Sequence, residues 1–454
     1  MFKFPAGRRL PVLLTVVGLV AACATGTGSS PSVSVSQSPT PSITSSPLPS
    51  TGPTTPPAPT VAPTAPPEVG LTWSLVDDPD LASYPDRGTM HGVITGGPGA
   101  IAWGERWGPP GANGGLPSLG PKIWTTADGR DWVPASVEAP SGAHAGYRGA
   151  VLDIAVGGPG YVAVGSYYRV GTGMTALVWT STDGRTWRLN PDQPAFERSL
   201  IDQVIPWKGG LVAVGCVRWS PIDCGPSRTW TSVDGSSWAA ITPALPAGIV
   251  RLDLVSPAAD RLWALGSTSD EGSYLAPDSP RPSWLTSLDG RTWETSPLPD
   301  LGGGQLHPMP GSLFFTAYEI PSGEPDLMDV PGWMDRAPGV YESTDLRTWA
   351  PLAVGRQLGE EIVAVDDSLM MLGTTGTQCW NPGRCVAAAW RSTDAGQTWR
   401  DVPVTGSTPK DRPGGTMRAT AALTDGTLVA VGDLMGTDGI GVTATWVSPP
   451  QPGS

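Results

Sequence analysis

The chain has 454 residues, 15% of them charged, with 59 glycines, 51 prolines and a formal net charge of -13. So few charges with so much glycine and proline exclude a long helical bundle or coiled coil, and the acidic balance excludes a basic nucleic-acid-binding surface. Three histidines, His91, His144 and His307, are too few for a histidine-rich metal centre. Tryptophan is the anomaly, with 20 against 5 Phe and 8 Tyr, so a recurring local motif demands indole.

Lys3, Arg8 and Arg9 precede an apolar run from Pro11 to Ala22, too short for a membrane span and the size of a secretory signal core. The run ends Leu19-Val20-Ala21-Ala22-Cys23, which resembles the bacterial lipobox. That resemblance implies that residues 1–22 are a lipoprotein signal peptide and that Cys23 is the lipidated first residue of the mature chain, a membrane anchor on the bacterial surface. An ordinary secretory signal is the competing reading. Residues 23–68 continue in Ser, Thr, Pro, Ala and Gly, with too little apolar surface to fold, and read as a tether. In polyproline II at about 3.1 Å per residue it would hold the folded part on the order of 100 Å from the membrane.

From residue 69 to 449 the tryptophans explain themselves. The segment Trp179-Thr180-Ser181-Thr182-Asp183-Gly184-Arg185-Thr186-Trp187 recurs as Trp124 to Trp132, Trp230 to Trp238, Trp284 to Trp293, Tyr341 to Trp349 and Trp390 to Trp399. Each copy is two β-rich runs joined by a turn at Asp128, Asp183, Asp234, Asp289, Asp345 or Asp394, the pattern of a hairpin. A second hairpin precedes every copy, as in Val151 to Val156, the turn Gly157 to Gly160, and Tyr161 to Gly165. Similar runs end at Gly104, Gly215, Gly266, Ala317, Gly373 and Gly432.

That gives seven first hairpins and six second ones. The last repeat stops at a third strand, Ala444 to Ser448, while the region opens with Leu71-Thr72-Trp73-Ser74-Leu75, which matches the fourth strand Arg185 to Leu189. Complementary ends predict a closed ring: an all-β, seven-bladed propeller of four-stranded antiparallel blades, the N-terminal strand completing the last blade. Leu71 to Ser448 allows about 54 residues per blade. Residues 450–454 form a tail.

Four cysteines remain, Cys216 with Cys224 and Cys379 with Cys385, spaced for two local disulfides in an oxidising compartment. A single four-thiolate metal site would need two distant segments to meet and lacks CxxC spacing.

The loops joining second to third strands share a face with the blade-to-blade connections, opposite the Asp turns, and long loops on a rigid scaffold are where binding sits. Glu105 to Lys122 and Tyr318 to Val340 are long, Asp433 to Gly441 short. Trp107, Trp219, Trp333 and Trp380 fall in these loops, joined by Tyr167 and Tyr168. Such aromatics can stack on sugar rings or anchor a protein, or simply pack loops together. In the first strands, which line the central channel, Asp153, Asp202, Asp253, Gln305 and Glu361 align, a set that can hold Ca²⁺, run acid–base chemistry or face channel water.

Ser392-Thr393-Asp394-Ala395-Gly396-Gln397-Thr398-Trp399 resembles the Asp box, or BNR repeat, of sialidases and other propellers. The resemblance implies a structural role for the box and leaves activity open, since the Arg-Ile-Pro signature of sialidases is missing: Ile205-Pro206 and Ile320-Pro321 lack the arginine. The sequence therefore reads as an anchored, monomeric binding module for a glycan or an envelope protein, without nucleic acid and with no metal or cofactor beyond possible channel Ca²⁺. The alternatives are a glycoside hydrolase resembling exo-sialidases, using a pair from Asp153, Asp202, Asp253 and Glu361, or an assembly factor resembling photosystem stability factors.

Overall fold

The computed structural model describes residues 71–78, 81, 88–107, 118–140, 148–169, 173–218, 224–258, 260–268, 283–296, 304–309, 312–317, 339–344, 348–352, 358–376, 385–406, 408, 410, 412–435 and 441–450. All of them belong to one compact unit, Pro66–Ser454. The signal segment, Cys23 and the tether lie outside the described residues.

Seven antiparallel sheets follow one another along the chain. Their innermost strands are Gly88–Gly96, Arg148–Gly157, Ser199–Trp207, Arg251–Ala258, Gly304–Met309, Leu358–Val365 and Gly414–Ala422. Each inner strand touches the inner strand of the next sheet, and the seventh touches the first, so the sheets are the blades of a closed propeller. The closure is the expected one: Trp73–Leu75 pairs antiparallel with Gly441–Ser448, placing Ser74 opposite Val447 and Leu75 opposite Trp446.

Two short strands go beyond the repeat. Ser136–Val137 pairs in parallel with Thr186–Leu189 of the second blade, and Val404–Thr405 pairs in parallel with Trp73–Leu75 of the seventh. Both lie just after the fourth strand of the preceding blade, so each strap ties a blade to its successor. The strands of the first blade also run further than expected. Glu105 pairs with Pro121 and Trp107 with Ser118, shortening the loop expected over Glu105 to Lys122.

The core is divided among the seams between blades: each of the seven holds a hydrophobic cluster, and that between the second and third holds a further small one of Met174, Leu200 and Cys216. The second tryptophan of the repeat explains the demand for indole. Trp132, Trp187, Trp238, Trp293, Trp349, Trp399 and Trp73 each pack in the seam on the preceding side of their blade. A wedge-shaped gap between twisted sheets needs one large flat side chain per blade, and indole supplies it.

The first tryptophan follows the same rule with one exception. Trp124, Trp179, Trp230, Trp390 and Trp446 face the preceding blade, whereas Trp284 packs edge-on against Phe315 of the fifth blade, ring centroids 4.7 Å apart. In that copy the indole stands three residues before the turn serine instead of two. A one-residue displacement in a strand reverses the face, so Leu285 fills the preceding seam and Trp284 the following one.

The turns between third and fourth strands are built alike. The carboxylates of Asp128, Asp183, Asp234 and Asp289 each accept two main-chain N–H bonds at 2.7–3.0 Å from the residues two and three further on. The hydroxyl two residues before each aspartate accepts the N–H of the turn glycine at 2.8–2.9 Å. Asp394 bonds the N–H and hydroxyl of Thr398 instead, one residue later, as its longer turn requires. Asp345 lies outside the described residues.

Gly184 has φ +72°, and a Cβ there would lie 2.6 Å from Ile101 Cδ1 of the first blade. Gly184→Ala is therefore expected to destabilise by more than about 1 kcal/mol, from left-handed backbone and seam overlap together, read as a lower thermal midpoint.

Candidate functional site

The inner strands hold the described part of the expected site. Six of the seven contain a register irregularity, between Met90 and Gly92, Val151 and Asp153, Ile201 and Gln203, Asp253 and Ser256, Gly359 and Glu361, and Met417 and Ala419. A bulge re-aims the side chain beside it. In the second, third and sixth blades it stands beside a polar side chain that reaches across the seam.

Asp153 Oδ1 accepts the N–H of Ile154 at 2.9 Å, and its Oδ2 accepts the N–H of Val204 in the third blade at 2.9 Å. Gln203 Oε1 accepts the N–H of Val255 in the fourth blade at 2.7 Å. His307 Nδ1 accepts the N–H of Ile362 in the sixth at 3.2 Å, and Glu361 Oε2 the N–H of Thr420 in the seventh at 2.7 Å. Four seams are thus latched by a side-chain acceptor on a main-chain donor that its own ladder leaves unpaired. In the seam between first and second blades Trp103 Nε1 donates to Leu152 O at 3.0 Å, and Tyr161 Oη accepts the N–H of Gly97 at 2.8 Å.

The aligned set therefore separates. Asp153 and Glu361 belong to the latches, but the corresponding residue of the third blade is Gln203, not its neighbour Asp202. The fifth blade uses His307, not Gln305, whose side chain lies outside the described residues. Asp253 bonds Arg251 at 2.8 Å and Ser267 at 3.4 Å, both in its own blade. Among the described residues, no group of three His, Cys, Asp or Glu side chains is placed to hold a metal ion.

Burial sets the chemistry of the latches. It pushes the Asp153 carboxyl up to about 7 and Glu361 to about 8, while their N–H donors oppose it. It pushes the His307 imidazole down to about 4, keeping neutral the ring whose Nδ1 accepts the Ile362 N–H.

Charge gathers instead at the seam between the seventh and first blades. Arg418 Nε donates to Asp433 Oδ2 at 2.8 Å, and His91 Nε2 lies 3.9 Å from Glu105 Oε1. Burial raises the Asp433 carboxyl against the pull of Arg418, and it lowers the His91 imidazole against the pull of Asp433. The repeat gave no sign of this group because each member occupies a position filled differently in the other blades.

Of the aromatic residues expected on the loop face, Tyr167 is only 5% exposed and packs in the seam between first and second blades, inside the strand Gly160–Arg169. It forms part of the core. Trp107 ends Gly99–Trp107 and Tyr168 lies in Gly160–Arg169, while Trp219, Trp333 and Trp380 lie outside the described residues. Cys216 and Cys224 form a disulfide, Cα atoms 5.8 Å apart, joining the second and third strands of the third blade. Cys385 is also disulfide-bonded, and Cys379 lies outside the described residues.

No protein-family model matches the chain, and no curated protein matches it in sequence. Among solved structures it is similar to a Dyadobacter fermentans DSM 18053 protein of unknown function, with TM-score 0.47 and 13% identity over 84% of this chain and 98% of that one. It is similar to a Trypanosoma rangeli sialidase in complex with the inhibitor DANA, with TM-score 0.39 and 15% identity over 74% of this chain and 56% of that one. It is also similar to an ancestral GH74 enzyme, with TM-score 0.43 and 13% identity over 78% of this chain and 46% of that one. The chain thus spans about half the length of these two enzymes, and at such scores the likeness adds nothing to the ring of seven sheets described above.

Proposed function

We propose that the protein is an extracytoplasmic surface lipoprotein, anchored through Cys23, whose Asp-box propeller is a non-catalytic binding module for a glycan or an envelope protein. The observation that carries this reading is the engagement of Asp153 and Glu361. Both are buried, both bind main-chain N–H groups of the next blade, and they lie in different seams. A glycoside hydrolase needs two carboxyl groups facing one bond, about 5–9.5 Å apart, and two seam latches do not supply that pair.

Recognition then falls to the loop face, where the sequence concentrates Trp107, Trp219, Trp333 and Trp380. Full-length protein, immobilised and exposed to glycan fractions and solubilised envelope proteins, is expected to retain a defined ligand and to release no shortened sugar. Alanine at those four tryptophans is expected to reduce retention at least about tenfold, since each is a candidate hot spot. Undiminished retention sinks the aromatic-face assignment. For the anchor, Cys23→Ser is expected to move the protein from the membrane to the soluble fraction, and a variant that stays membrane-bound contradicts it.

A further inference from the structure

The inner hairpin turns, on the face opposite the strand-two-to-three loops, vary in sequence from blade to blade. In the first two blades the turn reads Gly96-Gly97-Pro98-Gly99 and Gly157-Gly158-Pro159-Gly160. Both are pressed against the next blade. A Cβ on Gly97 would lie 3.1 Å from Asp183 O and one on Gly158 2.8 Å from Asp234 O, while one on Gly157 would lie 2.8 Å from Leu211. The third blade carries Trp207-Lys208-Gly209-Gly210 in the same register, with Trp207 opposite Gly210. Two large side chains stand where the preceding blades have room only for hydrogen.

Lys208 nevertheless keeps the left-handed backbone of the glycines it replaces, with φ 48° against 57° for Gly97 and Gly158. That conformation is unfavourable for any residue with a Cβ, and the tight hairpin turn imposes it here as it does on Asp366, φ 50°, at the same position of the sixth blade. The turn stands off from the Asp turn of the fourth blade, and a groove of about 680 Å³ opens between them, within the size range of small-molecule sites. Trp207 and Trp238 contribute to its wall. Val233 and Leu288 form its rim, 85% and 47% exposed, at turn positions that are Ala127, Thr182 and Thr393 in other blades.

Cations sit beside this apolar surface. Lys208 Nζ lies 5.2 Å from the Trp207 ring centroid and donates to Leu288 O at 2.7 Å, which leaves two of its three N–H groups to bind. Arg291 lines the same groove and is exposed. The neighbouring Asp289 is engaged through Oδ1 by its own turn. We infer that this groove binds a small molecule with an aromatic or branched aliphatic body and one carboxylate, the body lying against Trp207, Val233 and Leu288 and the carboxylate meeting Lys208 and Arg291.

The test uses the full-length protein and fluorine NMR of 4-fluorophenylacetate, with 4-fluorophenylacetamide as the neutral twin. The acid is expected to bind saturably and the amide about tenfold more weakly, the difference of a charge-assisted hydrogen bond. Lys208→Met keeps the stem and removes the ammonium, and is expected to weaken the acid about tenfold. Lys208→Gly puts glycine at the left-handed position, as in the first two blades, and is expected to raise the melting temperature while weakening the acid at least about tenfold, a combination that misfolding does not produce. Equal binding of acid and amide, absence of saturation, or undiminished binding by Lys208→Gly overturns the inference. Because the groove is on the other face, this result is independent of the four loop tryptophans.

Discussion

Replacing Trp73 by alanine is expected to destabilise the protein by about 3–5 kcal/mol, the cost of emptying a fully buried indole site. Trp73 stands near the start of the described residues, and only ring closure makes it a core residue. It is fully buried among Met370, Leu372 and Val402 of the sixth blade and Met417 and Trp446 of the seventh. Its backbone is held from both sides, the N–H of Trp73 bonding Pro403 O at 2.9 Å and that of Val76 bonding Thr445 O at 2.8 Å. Among the described residues Trp73 Nε1 has no hydrogen-bond partner. The stabilisation is therefore packing alone, and Trp73→Phe should cost distinctly less than Trp73→Ala. Guanidinium denaturation reads both values. Against a total stability of about 5–15 kcal/mol the alanine effect is large, whereas an unpaired N-terminal segment would show none.

Glutamine at position 361 is expected to leave stability unchanged near pH 4.5 and to raise it above pH 8, by on the order of 4 kcal/mol. Glu361 has its carboxyl pushed up by burial to about 8 in the folded protein. A group raised in this way stabilises fully below its unfolded value and loses that contribution as the pH climbs through its folded value. The wild-type protein should therefore weaken between about pH 4.5 and 8. Asp153, raised to about 7, adds a loss of the same sign. His307, lowered to about 4, acts oppositely, its contribution vanishing as the pH falls from 6.5 through 4.

Glutamine is the informative replacement because Gln203 already fills the equivalent seat, accepting Val255 N–H as Glu361 accepts Thr420 N–H. Glu361→Leu should instead cost about 1–3 kcal/mol near pH 4.5, through a buried N–H left unpaired, and, being unable to titrate, should lose nothing further at this position as the pH climbs. Urea denaturation across the pH range separates the two variants. If Glu361→Gln loses stability between pH 4.5 and 8 as steeply as wild type, Glu361 is not the latch described here.

The repeat made the ring legible because propeller geometry imposes the same demand on each blade. One indole per seam, one Asp turn per second hairpin and a strand missing at one end but present at the other are local patterns with global meaning. What escaped had other causes. The straps at Ser136–Val137 and Val404–Thr405 are too short to carry a periodic signal. Asp153, Gln203 and Glu361 each stand 12 residues before the glycine that ends their hairpin, whereas Asp202 and Asp253 stand 13 before it, and a search for acids alone set all four acids together and passed over Gln203.

Gln203 and His307 were invisible to a search for carboxylates, although any acceptor suits a latch whose donor is a main-chain N–H. Tyr167 lies in a strand, not a loop, because extension past Gly165 depends on the partner strand, which pairs Tyr167 with Thr175. The Trp207 groove did leave a trace: Trp-Lys stands where the first two blades have Gly-Gly, and only the close approach of the next blade shows why that matters.

Amide hydrogen exchange of the full-length protein tests the central claim most directly, because ring closure and seam latches both rest on particular N–H groups. The closed ring predicts that Trp73, Val76, Val204, Val255, Ile362 and Thr420 exchange only through global unfolding, as slowly as mid-strand amides of any blade. Exchange of Trp73 and Val76 as fast as in an unstructured chain would mean that the N-terminal strand does not close the last blade. Fast exchange at the other four would mean that the buried side chains of the inner strands are not what holds neighbouring blades together.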